Sequence, residues 1–319
     1  MHYLSDLGYI AYSVVGPVLV LIAVGYLLGR RVPQAAEVLS KVFLYALIPT
    51  YVFFRILNAD LGARAYGTIV LFSSVMVVVL YAVGHFASRL RRHDRALRSA
   101  FVNSTILYNS ASFSIPVMAL AFAASEASQN YAVAVQAIVA VCQGVAAYTV
   151  GAVIAAAGSG PVGRAMLKAL RLPFAYAVVA ALILKRVGLG AEALERATLL
   201  WKPLVFLSGA YVPVALMTLG AQIAQVKVVR APADLALAMV ARLVVGPMLG
   251  WALVAAMGLE GPLAAILVIG TAAPSAVASA VVALEFRNRP DFASSVVFLT
   301  TLGAAVTIPI IIFLTRTFL

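Results

Sequence analysis

The feature that most constrains this chain is a succession of apolar runs of about 20 residues, each long enough to cross a bilayer as a helix. They fall at 8–29, 38–57, 66–88, 99–123, 131–156, 166–187, 203–225, 233–258, 262–286 and 292–317 and predict ten spans. Only 11% of the residues are charged and the mean hydropathy is +1.05. A soluble domain carries about a quarter charged residues, so too little polar surface exists here to cover one.

The formal charge of +12 raises nucleic acid as a partner, but its distribution favours the lipid bilayer instead. Alternate loops hold Arg30, Arg31 and Lys41; Arg89, Arg91, Arg92, Arg95 and Arg98; Arg164, Lys168 and Arg171; Lys227 and Arg230; Arg287 and Arg289. These are 15 of the 23 basic residues. The positive-inside rule puts those loops in the cytoplasm and both termini outside it. The loop with Lys185, Arg186, Arg196 and Lys202 runs against the rule. The first run has no basic segment before it and ends in Arg30–Arg31, so a retained span is expected rather than a cleaved signal peptide. The single cysteine, Cys142, excludes an internal disulfide and a cysteine metal cluster. His2, His85 and His93 read as solvated loop or helix-end residues, and no metal or cofactor is called for.

An internal repeat is legible. "PVLVLIAVGYLLGRR" (17–31) echoes "PFAYAVVAALILKRV" (173–187), and "QGVAAYTV" (143–150) echoes "LGAAVTIP" (302–309). Pro49 pairs with Pro213, and Pro116 with Pro274, at similar offsets. Five spans followed by five related ones reverse orientation, as in the inverted repeats of secondary transporters. The expected units are 1–157 and 166–319, joined by a linker at 158–165.

Span four contains a polar knot, "YNSASFSIP" (108–116), where unsatisfied groups would cost several kcal/mol each in hydrocarbon. Pro116 removes a backbone donor and disfavours helix at Ile115, which predicts a break there. Span nine repeats the device in "GTAAPSAVAS" (270–279), around Pro274. Two broken helices crossing near mid-membrane would form one site from Asn109, Ser110 and Ser112 with Ser275 and Ser279. Helix N-termini there favour an anion. The alternative is that the serines bond back to the preceding turn and the prolines only kink. Gln136 and Gln143, seven residues apart on one face of span five, would buttress the crossing. Arg242 is the one basic residue well inside a span. It either braces a neighbouring helix or balances a substrate charge, with bracing favoured. Arg55, near a span end, reads as snorkelling. No carboxylate occupies mid-span, which argues against a proton relay.

Two motifs read as packing or linkage. "GSGPVG" (158–163) matches a dinucleotide fingerprint in letters, but follows a long helix and contains Pro161, so it reads as linker. "GYLLG" (25–29) and "GPMLG" (246–250) fit close helix packing.

These segments resemble the auxin efflux carrier family, which includes plant PIN auxin exporters and bacterial malate or malonate permease-like proteins. The resemblance is carried by "VGYLLGRRVPQAAEVLSKVFLYALIPTYVF" (24–53), "YNSASFSIPVMALAFA" (108–123), "RLVVGPMLGWALVAAMGLEG" (242–261) and "EFRNRPDFASS" (285–295). Ser112 and Ser114 stand where the bacterial pattern usually has Asn and Gly. The resemblance implies an all-α polytopic fold of two inverted five-helix repeats, with spans four and nine broken and crossed. That is the arrangement of bile-acid symporters and sodium/proton antiporters. It further implies a scaffold of spans one, two, six and seven, and a transport bundle of three to five and eight to ten. A homodimer through spans two and seven, organic-anion transport and residence in a bacterial inner membrane are implied as well. The leading expectation is therefore an alternating-access carrier of small carboxylates. The rivals are a Na⁺-coupled symporter and a membrane sensor, the latter disfavoured because no soluble domain is appended. An enzyme is not expected, since no nucleophile–base pair or metal cluster is present.

Overall fold

The computed structural model describes residues 2–156 and 172–319. It is 84% helix, and no strand occurs among the described residues. In chain order, α1 (Asp6–Arg31), α2 (Ala35–Asn58) and α3 (Ala63–Leu90) precede two shorter helices, α4 (Arg95–Ile106) and α5 (Ser110–Ala121). Then come α6 (Glu126–Ala156), α7 (Pro173–Arg186), a single turn α8 (Ala191–Glu195), α9 (Thr198–Ile223) and α10 (Pro232–Ala256). A second short pair, α11 (Gly261–Thr271) and α12 (Val277–Glu285), leads to α13 (Pro290–Phe318). Seven of these (α1, α2, α3, α6, α9, α10 and α13) are long and apolar enough to cross a membrane. The linker at 158–165, the "GSGPVG" motif, the start of the sixth predicted span, and Arg164, Lys168 and Arg171 lie outside the described residues.

Prolines inside these helices are absorbed rather than terminating them. Just before Pro17, Pro49, Pro116 and Pro247 the helix widens by one residue. The N–H groups of Gly16, Ile48, Ile115 and Gly246 reach five residues back, to the carbonyls of Ala11, Phe43, Ser110 and Ala241. A proline ring collides with the carbonyl four residues before it, and the wide turn moves that carbonyl aside. The break expected at Ile115 is thereby corrected. Residues 110–116 are helical, and the chain unwinds earlier, at 107–109. In the second pair the unwound residues include Pro274 itself.

Packing sorts the helices into two groups. In one, α1, α2 and α7 gather with α9; in the other, α3 to α6 pack with α10 to α13. Glycines set the closest approach in the first group. A Cβ on Gly25 would lie 2.1 Å from the Met217 carbonyl oxygen, and one on Gly220 would lie 2.0 Å from that of Ile22. Only glycine lets α1 and α9 touch backbone to backbone. Cations hold helix ends, where the dipole is negative. The Lys185 ammonium caps the Ile56 and Ala59 carbonyls at the end of α2. Arg316 donates to the Ala121 carbonyl at the end of α5, at 2.7 Å.

Candidate functional site

The two unwound segments meet. Asn109 N–H donates to the Pro274 carbonyl and Ala276 N–H to the Leu107 carbonyl, both at 2.8 Å. Together they close one antiparallel bridge between Tyr108 and Ser275. The other freed groups also find partners. Tyr108 N–H donates to Gln143 Oε1, Ser275 N–H to Thr300 Oγ1, and Ser110 N–H to the Tyr108 carbonyl. Backbone donors unwound in an apolar interior would otherwise cost several kcal/mol each, and here the breaks satisfy one another.

Arg242 lies against the two helices that end at the breaks. Its side chain is fully buried. Nη1 donates to the Thr105 carbonyl at 2.8 Å, and Nη2 donates to the Thr271 carbonyl. Those carbonyls belong to the last turns of α4 and α11, the negative dipole ends, so one planar fork joins both. The guanidinium also stands 5.0 Å from the centroid of the Tyr108 ring. Space for it depends on the small residues beside it: a Cβ on Gly246 would come within 2.5 Å of Nη2. The second glycine of that motif, Gly250, gives the same room to Thr271.

On the opposite side of the breaks, where α5 and α12 begin, lies a cavity of about 250 Å³. Asn109, Ser110, Ala111 and Ser112 line it from the first break, Ala276, Val277 and Ala278 from the second, and Gln143 from α6. Ser40, Phe43 and Leu44 of α2 and Thr218 and Gln222 of α9 form the facing wall, with Leu172 and Phe174 beside α7. Among the described residues no charged side chain lines it.

The two amides on the wall share one arrangement. Asn109 Oδ1 accepts from the N–H and hydroxyl of Ser112, while its Nδ2 has no partner. Gln143 Oε1 accepts from Tyr108 N–H, while its Nε2 has no partner. In each, oxygen holds the unwound backbone and nitrogen is left with unused donors. Such donors match an acceptor-rich solute.

Other residues singled out in the sequence are placed elsewhere. Ser275 is fully buried, its hydroxyl donating to the Ser104 carbonyl at 2.6 Å. Ser279 is also fully buried and donates back to the Ala276 carbonyl at 2.8 Å, the local bond typical of a helical serine. Gln136 is fully buried away from the cavity, beside Gly270, with neither end of its amide paired. Ser40, Thr218 and Gln222 were missed, because single polar residues at span ends carry no signal of which wall they face. Arg55 does more than snorkel: it is half-buried and donates to Asn130 Oδ1 at 2.6 Å.

Paired helix breaks beside a cavity are a feature of secondary transporters, whose sites lie between discontinuous helices. Residues 162–312 match the family model described as a membrane transport protein. The auxin efflux carrier family domain is thus found at residues 162–312, and that family indicates a membrane transporter. No curated relative matches the chain.

Proposed function

We propose that this transporter moves small organic anions, carboxylates in particular, by alternating access in an elevator-like motion. The observation that carries the anion is the division of labour at the breaks. Arg242 occupies the carbonyl ends of α4 and α11, while the starts of α5 and α12, with the unused amide donors of Asn109 and Gln143, border the cavity. The cavity side therefore has donors and positive dipole ends to offer, with no side-chain cation to bind the anion too tightly for release. In this reading the ten spans form two inverted repeats, 1–157 and 166–319, whose fourth and ninth members cross. The group of α1, α2, α7 and α9 serves as scaffold and the other group as the moving bundle. Both termini then lie outside a bacterial inner membrane, and a homodimer forms through the second and seventh spans.

A thermal-shift screen of purified protein against mono- and dicarboxylates, with and without Na⁺, tests the reading. A ligand at a hundred times its Kd stabilises the folded state by about 2.7 kcal/mol, an easily measured rise in melting temperature. Stabilisation by carboxylates alone is expected. Stabilisation that requires Na⁺ would move the assignment to a sodium-coupled symporter, and none with any carboxylate would reject an anion site.

A further inference from the structure

Beside the cavity one continuous chain of contacts crosses between the two helix groups twice. Asn130 of α6 accepts from Arg55 Nη1 of α2 at 2.6 Å. The Arg55 guanidinium stands 5.0 Å from the centroid of the Tyr51 ring. Tyr51 is stacked on Tyr211 of α9, with centroids 4.0 Å apart and planes at 3°. The Tyr211 hydroxyl donates to the Ala111 carbonyl of α5 at 2.9 Å. Tyr51 and Tyr211 are fully buried. Phe43 and Ala111 line the cavity, and the Phe43 ring centroid lies 5.5 Å from that of Tyr211, so the stack stands behind the cavity wall.

Toward the other end of the same helices, Ser40 and Gln222 make no such crossing. Ser40 of α2 and Gln222 of α9 line the cavity. Each is eleven residues from the tyrosine on its own helix, about 16 Å along the axis. Their hydrogen bonds stay within their own group: Gln222 Nε2 donates to Ser40 Oγ at 2.9 Å, and Ser40 donates to the Ala36 carbonyl. Ser40 follows the Arg30–Arg31 loop and Gln222 precedes Lys227, so this end of the helices lies toward the basic loops.

We infer that Asn130, Arg55, Tyr51, Tyr211 and the Ala111 carbonyl form a latch that holds the protein open toward its basic loops and closed on the other face. This rests on the alternating-access reading above. Separation of α9 from α5 and of α2 from α6 breaks both crossings together, because the stacked tyrosines tie the two helices of the first group to each other.

The test is sided labelling in proteoliposomes. In a Cys142→Ala background, Ala215→Cys places a thiol at a fully buried position one turn from Tyr211. An impermeant maleimide is applied from the face away from the basic loops. Tyr211→Phe keeps the ring stack and removes only the bond to Ala111. It should raise the labelling rate roughly two- to tenfold, the effect of losing one neutral hydrogen bond. Arg55→Ala removes the charged crossing and should raise it further. Unchanged rates in both variants would overturn the latch. A separate arm adds butyrate or malonate to the protein with the latch intact. No effect there counts against carboxylate-driven alternation and leaves the latch to be judged by the variants alone.

Discussion

Asn109 uses the two ends of its amide differently, and that makes a sharp experiment available. Its oxygen holds Ser112 and its nitrogen is unpartnered on the cavity wall. Asn109→Asp keeps an oxygen for Ser112 and replaces the donor with a negative charge. The fold should persist while carboxylate binding is lost near neutral pH and returns only in acid, as the new carboxyl protonates. Asn109→Ala should weaken binding about ten- to a hundredfold, the loss of one hydrogen bond to a charged group. Equilibrium binding of the carboxylate found by thermal shift measures both. Unchanged affinity in Asn109→Asp would place the anion elsewhere. Asn109, Ser110, Ser112 and Gln143 were legible as cavity residues because polar side chains stand out in an apolar run. Ser275 and Ser279 looked the same in sequence, yet their hydroxyls point into backbone, a distinction of χ1 that composition does not carry.

At the scale of elements, the sequence located the long apolar helices: predicted spans at 66–88 and 203–225 correspond to Ala63–Leu90 and Thr198–Ile223, whereas 99–123 and 262–286 each divide into two short helices. Where a helix breaks was less legible. Pro116 promised a break and instead sits inside α5 behind a widened turn, because a helix can shift one carbonyl more cheaply than it can expose several. The actual break is fixed from outside the segment, by the 274–276 backbone that pairs with it. Arg242 is the clearest case of an element-level role. Arg242→Ala would leave the Thr105 and Thr271 carbonyls without their donor, at about 1–3 kcal/mol each. Melting temperature and expression should fall sharply, and surviving protein should still bind carboxylate. Arg242→Lys keeps the charge but lacks the planar fork, so it should recover only part of the stability. A normally stable Arg242→Ala protein that no longer binds would instead make the guanidinium the substrate's counter-charge.

For the whole molecule, the basic residues serve two purposes that sequence alone merges. Most fall in alternate loops of the sequence, the pattern the positive-inside rule reads, whereas Lys185, outside that pattern, caps the end of α2. His93 also departs from its expected solvated loop. It is buried, Nδ1 against Ser88 and Nε2 against Asp234 at 3.0 Å, and docks the turn after α3 onto the start of α10. Such long-range partners leave no periodic trace in either segment.

The bridge between Tyr108 and Ser275 also bears on how the chain is made. Its two strands of backbone are more than 160 residues apart. During synthesis the first half reaches the bilayer with the Leu107 carbonyl and Asn109 N–H still waiting for partners that have not been translated. Neither group can be satisfied by lipid. The nascent first half is therefore a client for membrane chaperones and proteases until residues 274–276 arrive, and maturation should be limited by that late pairing. Expressed alone, residues 1–156 should be degraded within the cell. Co-expression with residues 157–319 should rescue them, as followed by pulse-chase. A first half that accumulates stably by itself would mean that its broken helix closes its own backbone, and that the bridge forms only after a self-sufficient unit has already folded.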